Sequence, residues 1–346
     1  MNVASGSASL RVRCLAGPPP GWDDFLRRVP DAELAAGSTW TALATRAYAD
    51  AHARWFVAEH GGEVAGGMAV VARRLRGLIR LESSFDGTIA GPQVAGDLPE
   101  PLQDAVFEAL AGALAAQVAG RTAVAAFTVA SPEARRRARA LAGSGWRVAA
   151  FPAAVVDCRQ GLAHVERDLW TNNRRNERNR GFKRGCTIAA ETDPDVVPDW
   201  YPLYVPQAAG WAQAPVPSAF LQGLLREFPG RAVLNAVRLE GRLVGGHFCL
   251  RSRDRLVAFQ SAVRPDLLNT HFLTTLLYWQ DIVYACEQGL AAVDFGGSVG
   301  RDSLWDFKRR CGAEPEERCQ LQKRSGLGRL VQFAARQGRR WREIRP

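Results

Sequence analysis

Apolar positions along this chain change period several times, and the changes mark out its elements. Residues 102, 106, 110 and 114 are apolar at helical spacing in an alanine-rich run, which predicts a helix over 101–118. The apolar run 122–129 predicts a buried strand. Ser131, Pro132 and Glu133 form a helix start, with Ser131 as N-cap and a proline in the first turn. That helix should stop near Gly143, and 146–157 should return as a strand. Later, 255–263 reads as a strand, 270–288 as a helix capped by Thr270 and stopped by Gly289, and 291–295 as a buried strand. A short helix over 304–310 and a return strand near 319–322 complete the pattern.

One motif occurs twice. Residues 56–71 read FVAEHGGEVAGGMAVV and residues 235–250 read NAVRLEGRLVGGHFCL. An offset of 179 places Gly62 on Gly241, Gly66 on Gly245 and Gly67 on Gly246. Each copy reads as a strand, a tight glycine turn and a return strand. A double glycine inside a strand marks a bulge or a close backbone approach. The expectation is an internal duplication of one mixed α/β unit.

Length and charge refine this picture. The 346 residues suit two domains, and 47% hydrophobic residues suit packed cores. No apolar stretch is long enough to span a bilayer. No basic start followed by an apolar block opens the chain, so a cytoplasmic protein is expected. The seven cysteines include no CxxC pair, which argues for reduced thiols and against a metal site. The net charge of +10 is concentrated: segment 166–185 carries +4 and tail 323–346 carries +7, leaving −1 for the rest. Such segments suit a polyanionic partner, although solvated helix faces have the same look. In the tail, apolar residues at 327, 330, 331, 334 and 341 with arginines between them read as a basic amphipathic helix. Docking on the core, RNA binding and contact with an anionic membrane all stay open for it.

Three features together bring a family resemblance. They are the order of elements in each half, the duplication, and a C-terminal run. That run comprises Asp294-Phe295-Gly296-Gly297-Ser298, then Leu304-Trp305-Asp306-Phe307-Lys308, then Gly312-Ala313-Glu314-Pro315. This resembles the FemAB-type signature over about residues 35–322, and the basic segment at Arg174-Arg175 resembles the helix that opens that family's second domain. Gly297 departs from the family, which often has Arg there. The resemblance implies two tandem GNAT-like domains, over 1–160 and 161–322, followed by the basic helical tail. It also implies an acyltransferase that moves an aminoacyl group from aminoacyl-tRNA to an amine of a cell-wall precursor or small peptide metabolite, with no cofactor. The rivals are an acyl-CoA or acyl-carrier thioester donor, and a non-catalytic accessory protein of polysaccharide or cell-wall biosynthesis.

The residues themselves speak to the donor. CoA needs a glycine-containing loop at a helix N-terminus to cradle its pyrophosphate. The corresponding place here, 262–274, has no glycine, and none occurs between Gly246 and Gly289. Residues 86–92 hold Gly87 and Gly91 at the wrong spacing and read as a plain turn. A charged stabiliser for the reaction's oxyanion is sought in Lys308, although a surface lysine beside Arg309 and Arg310 is the plain alternative. Asp294, at the end of an apolar strand, either orients the amine or caps the next turn. His271 and His247 are candidate proton acceptors. Arg174, Arg175, Arg178, Arg180, Lys183 and Arg184 are candidate phosphate ligands. Asn269, Ser298, Trp305 and Phe307 are candidate substrate contacts, as is Trp40, for which a core position is the alternative.

Overall fold

A computed structural model describes residues 9–75, 77–211, 213–298 and 300–333. In chain order the elements are β1 (Arg11–Leu15), α1 (Trp22–Leu26), α2 (Ser38–Ala47), β2 (Ala51–His60), β3 (Glu63–Leu75), β4 (Leu78–Glu82), β5 (Gln93–Val94), α3 (Glu100–Ala116), β6 (Thr122–Val129), α4 (Pro132–Ala140) and β7 (Arg147–Asp157). There follow α5 (Leu162–His164), α6 (Asn172–Lys183), β8 (Cys186–Glu191), α7 (Val197–Gly210), α8 (Ser218–Glu227), β9 (Ala232–Leu239), β10 (Arg242–Ser252), β11 (Arg255–Val263), α9 (Leu273–Glu287), β12 (Ala292–Gly297), α10 (Asp302–Arg310) and β13 (Glu314–Arg324). The class is mixed α/β. Two compact units form, one of Met1–Ala150 with Arg318–Pro346 and the other of Phe151–Glu317.

In the first unit the strands run in the order β1-β2-β3-β4-β6-β13, antiparallel except for β4 beside β6. The apolar stripe of α3 (Val106, Leu110 and Leu114) is fully buried against Phe56, Met68 and Phe127. Ser131 caps α4 as its sequence predicts, accepting from the Ala134 N–H at 3.2 Å. The strand expected at 319–322 belongs here. It is longer, and it pairs antiparallel with β6 from Cys319↔Val129 to Arg324↔Val124.

In the second unit the order is β7-β12-β11-β10-β9-β8, with β11 and β12 parallel. Helix α9 buries Leu273, Leu276, Leu277 and Ile282. It starts at Leu273, not at Thr270. Phe272 occupies the N-cap with φ 54°, while the Thr270 hydroxyl lies 3.0 Å from His271 Nδ1.

The doubled glycines do the same work in both units. Register shifts fall between Ala58 and Glu59 opposite β3, and between Leu243 and Gly245 in β10, so the skipped residues are Ala65 and Val244, again 179 apart. A Cβ on Gly67 would lie 2.5 Å from the Trp22 ring, and one on Gly246 would lie 2.8 Å from Trp200. Each glycine admits an indole onto the strand.

Tail residues 323 and 324 are strand, and residues 326–333 are helical. The rest of the expected tail helix, 334–346, lies outside the described residues. No described helix is long and apolar enough to cross a membrane.

Candidate active site in the second unit

The parallel pair of the second unit separates. β11 and β12 are in register only at Arg255↔Ala292, Leu256↔Val293 and Val257↔Asp294. Beyond this, β11 continues to Val263 with β10 as its strand partner among the described residues. β12 turns toward β7, with a register shift before Gly297↔Ala153. Two parallel strands that part in this way leave free peptide groups facing one another. The matching pair in the first unit is sewn shut. Beyond Glu82↔Ala126, the Ser84 hydroxyl lies 2.7 Å from the Ala90 carbonyl, to which it donates, and 3.2 Å from the Thr128 carbonyl; it accepts from the N–H groups of both residues, and Ala90 bridges Thr128 directly.

Lys308 fastens the free end of β12. It is only 3% exposed, so the surface-lysine alternative does not hold. Its Nζ donates to the carbonyls of Phe295 (2.6 Å), Gly296 (3.1 Å) and Gly297 (3.4 Å), which uses all three ammonium protons. Gly296 takes φ 70° there, a left-handed turn that suits glycine. Burial lowers the Lys308 pKa from 10.5 to about 8; Asp294 opposes the shift and Arg301 adds to it. Asp294 caps the same turn, its Oδ1 accepting from the Gly296 N–H at 2.8 Å. Of its two expected roles, the geometry displays the capping one.

Hydroxyls and aromatic rings surround this turn. Ser298 is buried, and its Oγ has no hydrogen-bond partner among the described residues. Tyr278 of α9 stacks 4.2 Å from Phe295 and meets Phe307 edge-on at 5.0 Å. Burial pushes its phenol well above the ordinary value, so it stays protonated. Trp305 packs at the margin of the same core.

The basic helix α6 divides into two sets. Arg174 bonds Glu177 and the Thr275 hydroxyl, and its guanidinium lies 4.2 Å over the Phe307 ring. Arg178 bonds Glu166 and lies 4.2 Å over Trp279. Arg175 donates to the carbonyls of Glu166 and Arg167. These three are engaged within the fold and hold α6 in place. Arg180, Lys183 and Arg184 are exposed. Arg184 lies 5.6 Å over Phe272, at the start of α9. There the N–H groups of Leu273, Thr274 and Thr275 precede the first intrahelical bond, from Leu276 N–H to Phe272 O at 3.1 Å. His271 is half-buried and Asn269 exposed at the same end. The structure therefore brings Lys308, Asp294, Ser298, Phe307 and Trp305 together at one end of β12, and His271, Asn269 and Arg184 at the start of α9. Trp40 belongs to neither. It is buried in α2 of the first unit, 1% exposed, and is a core residue.

Sequence reasoning missed a buried cluster beneath α9. Asp281 accepts from His247 Nδ1 (2.6 Å), Asn235 Nδ2 (2.7 Å) and Cys249 Sγ (3.3 Å). An aspartate between the apolar stretches of α9, after Gln280 and before Ile282, was the available signal. Tyr278 was missed as well, because nothing local separates it from a core aromatic.

Comparison with known proteins bears on the fold. Residues 170–309 match the family model of an acetyltransferase (GNAT) domain, so the second unit carries a GNAT-type acyltransferase domain. No curated protein matches the chain. Among solved structures, FemX superposes with a TM-score of 0.63 at 12% identity, over 89% of this chain and 96% of that one. A tandem GNAT protein from the clavulanic acid biosynthesis pathway gives 0.54 at 15% identity, over 91% and 98%. The L-PGS structure from Bacillus licheniformis gives 0.55 at 13% identity, over 89% and 92%. At such identities these likenesses establish the fold alone.

Proposed function

We propose that the protein moves an aminoacyl group from aminoacyl-tRNA to an amine, and that the reaction takes place where β11 and β12 part. The observation that carries this reading is the open strand pair beside the buried, unpartnered Ser298 hydroxyl. The free peptide edge of β11 would hold the acyl chain as an added strand, which fixes the carbonyl for attack. The amine nitrogen attacks the ester carbonyl carbon, and a tetrahedral oxyanion forms. Ser298 would donate to it, and the charge of Lys308 behind the β12 carbonyls would favour it. The carbon–oxygen bond to the ribose then breaks. The leaving oxygen takes a proton from water, and the amine proton passes to water.

The tRNA donor rests on two observations. The approach to α9 holds Asn269, Thr270, His271 and Phe272 where a CoA site would have glycines. The cations Arg180, Lys183 and Arg184 are exposed beside it, and phosphate contacts of this kind dominate affinity for nucleic acid. A CoA-type thioester donor is the second reading, favoured by the N–H groups at the start of α9 that have no backbone acceptor among the described residues. Purified protein, given charged tRNA or acyl-CoA together with amine acceptors, separates the two. Amide formation from charged tRNA, lost at high salt and in Arg184→Glu, supports the first. Turnover of the thioester alone replaces it with the second.

A further inference from the structure

We propose that the C-terminal helix is a docking surface for an anionic lipid membrane. Ser325 seats the helix on the first unit: its N–H donates to the Ala123 carbonyl at 3.0 Å, and its hydroxyl lies 3.3 Å from the Gly120 carbonyl. Gly328 follows so closely that a Cβ there would lie 2.2 Å from the Ala123 carbonyl oxygen. The Gly328 side of the helix is thus its packed side.

The opposite side is apolar and open. Leu327 is 41% exposed, Leu330 67%, Val331 45% and Phe333 63%. At 100° per residue these four share an arc of about 160°, away from Gly328. Turning this face inward would require the glycine contact to be given up, so the core does not cover it. Side chains of this size exposed together on one face mark an interaction surface.

Charge identifies the occupant. Segment 323–346 holds eight cations and one anion, and its sequence continues with Trp341 and Ile344 among arginines. Leucine and phenylalanine exposed on one helix face, in a segment whose sequence is rich in arginine, suit a lipid interface, with apolar burial and anionic headgroups as the holding forces. RNA would engage the arginines but leave Leu327 and Leu330 in water. A second copy would bring two segments of +7 against each other. The proposal stands independently of the acyl donor.

Flotation of the full chain with vesicles tests it. One set of vesicles is phosphatidylcholine alone, the other phosphatidylcholine mixed with phosphatidylglycerol. The unmodified chain should float with the anionic vesicles and not with the neutral ones. The double variant Leu330→Gln, Phe333→Gln changes two exposed side chains and no charge. It should keep its melting temperature and bind the anionic vesicles at least about tenfold more weakly. Failure of the unmodified chain to float overturns the proposal. So does equal binding by the variant, with RNA displacing the vesicles, which would make the segment an RNA contact. A dimer in light scattering that the double variant converts to monomer would assign the face to self-association and also overturn it.

Discussion

His247 Nδ1 lies 2.6 Å from Asp281 Oδ2, in a pair with 4% and 0% side-chain exposure, and this contact ties strand β10 to helix α9. Asp281 satisfies two further donors, from Asn235 and Cys249, so one carboxylate organises the polar interior beneath the helix that carries Tyr278. Removing it leaves three buried groups without their acceptor. We expect Asp281→Leu to lower stability by about 3–5 kcal/mol, and Asp281→Asn by less, because the amide oxygen still accepts. Urea unfolding of both variants checks this. Equal losses would show that volume, not hydrogen bonding, sets the cost.

Lys308 predicts a pH dependence. Its native pKa of about 8 lies below the ordinary 10.5. Between these values the unfolded chain holds a proton that the native lysine has released, so stability rises with pH. Below pH 8 the buried charge opposes folding by about 3 kcal/mol, and this opposition is relieved as pH climbs through the window. Unfolding midpoints of the unmodified chain and Lys308→Met, measured across pH 7 to about 10.5, should show the unmodified chain gaining relative to the variant. A constant difference would contradict the assignment. Amide synthesis should fall steeply in Lys308→Met at every pH, because the β12 turn loses its fastening.

Ser298 should separate stability from activity. Its hydroxyl is buried without a partner, so Ser298→Ala removes an unmet hydrogen-bonding demand. We expect the melting temperature to hold or rise slightly, while kcat falls by about 10²–10³ through loss of an oxyanion donor. Circular dichroism melts and single-turnover assays read the two effects. An unchanged kcat would remove Ser298 from the chemistry.

Gly246→Ala should be costly. The new methyl would meet Trp200 at 2.8 Å and the Leu234 side chain at 2.9 Å. Overpacking of this kind costs about 1–3 kcal/mol, read as a lower urea midpoint. Gly112, with nothing within 4 Å of an added Cβ, is the control. Gly112→Ala, inside α3, should stabilise by up to about 1 kcal/mol.

Much of this was written in local pattern. The offset of 179 foretold two bulged hairpins, because a double glycine in a strand has few other uses. Ser131 foretold its cap through chemistry confined to four residues. Lys308 and Ser298 stood out through a motif, but not for what they do. The carbonyls that take up the Lys308 ammonium lie 11 to 13 residues away, and only the left-handed turn at Gly296 gathers them. The contacts of the α6 arginines were hidden for a similar reason. Composition counts Arg174 and Arg178 as free cations, whereas folding places them over Phe307 and Trp279. The start of α9 was misplaced because Phe272 adopts a positive φ that sequence assigns to glycine.

The pairing of β13 with β6 has a consequence for how the protein is made. A ribosome finishes β6 almost 200 residues before Cys319, its partner across from Val129, emerges. Throughout that interval β6 lacks this neighbour, and by its end all of Phe151–Glu317 has been synthesised. The later unit can thus mature first, and the earlier one closes only after Cys319–Arg324 has emerged. A nascent chain stalled before residue 319 would leave β6 as a bare apolar edge, open to chaperones or to the edge of another chain.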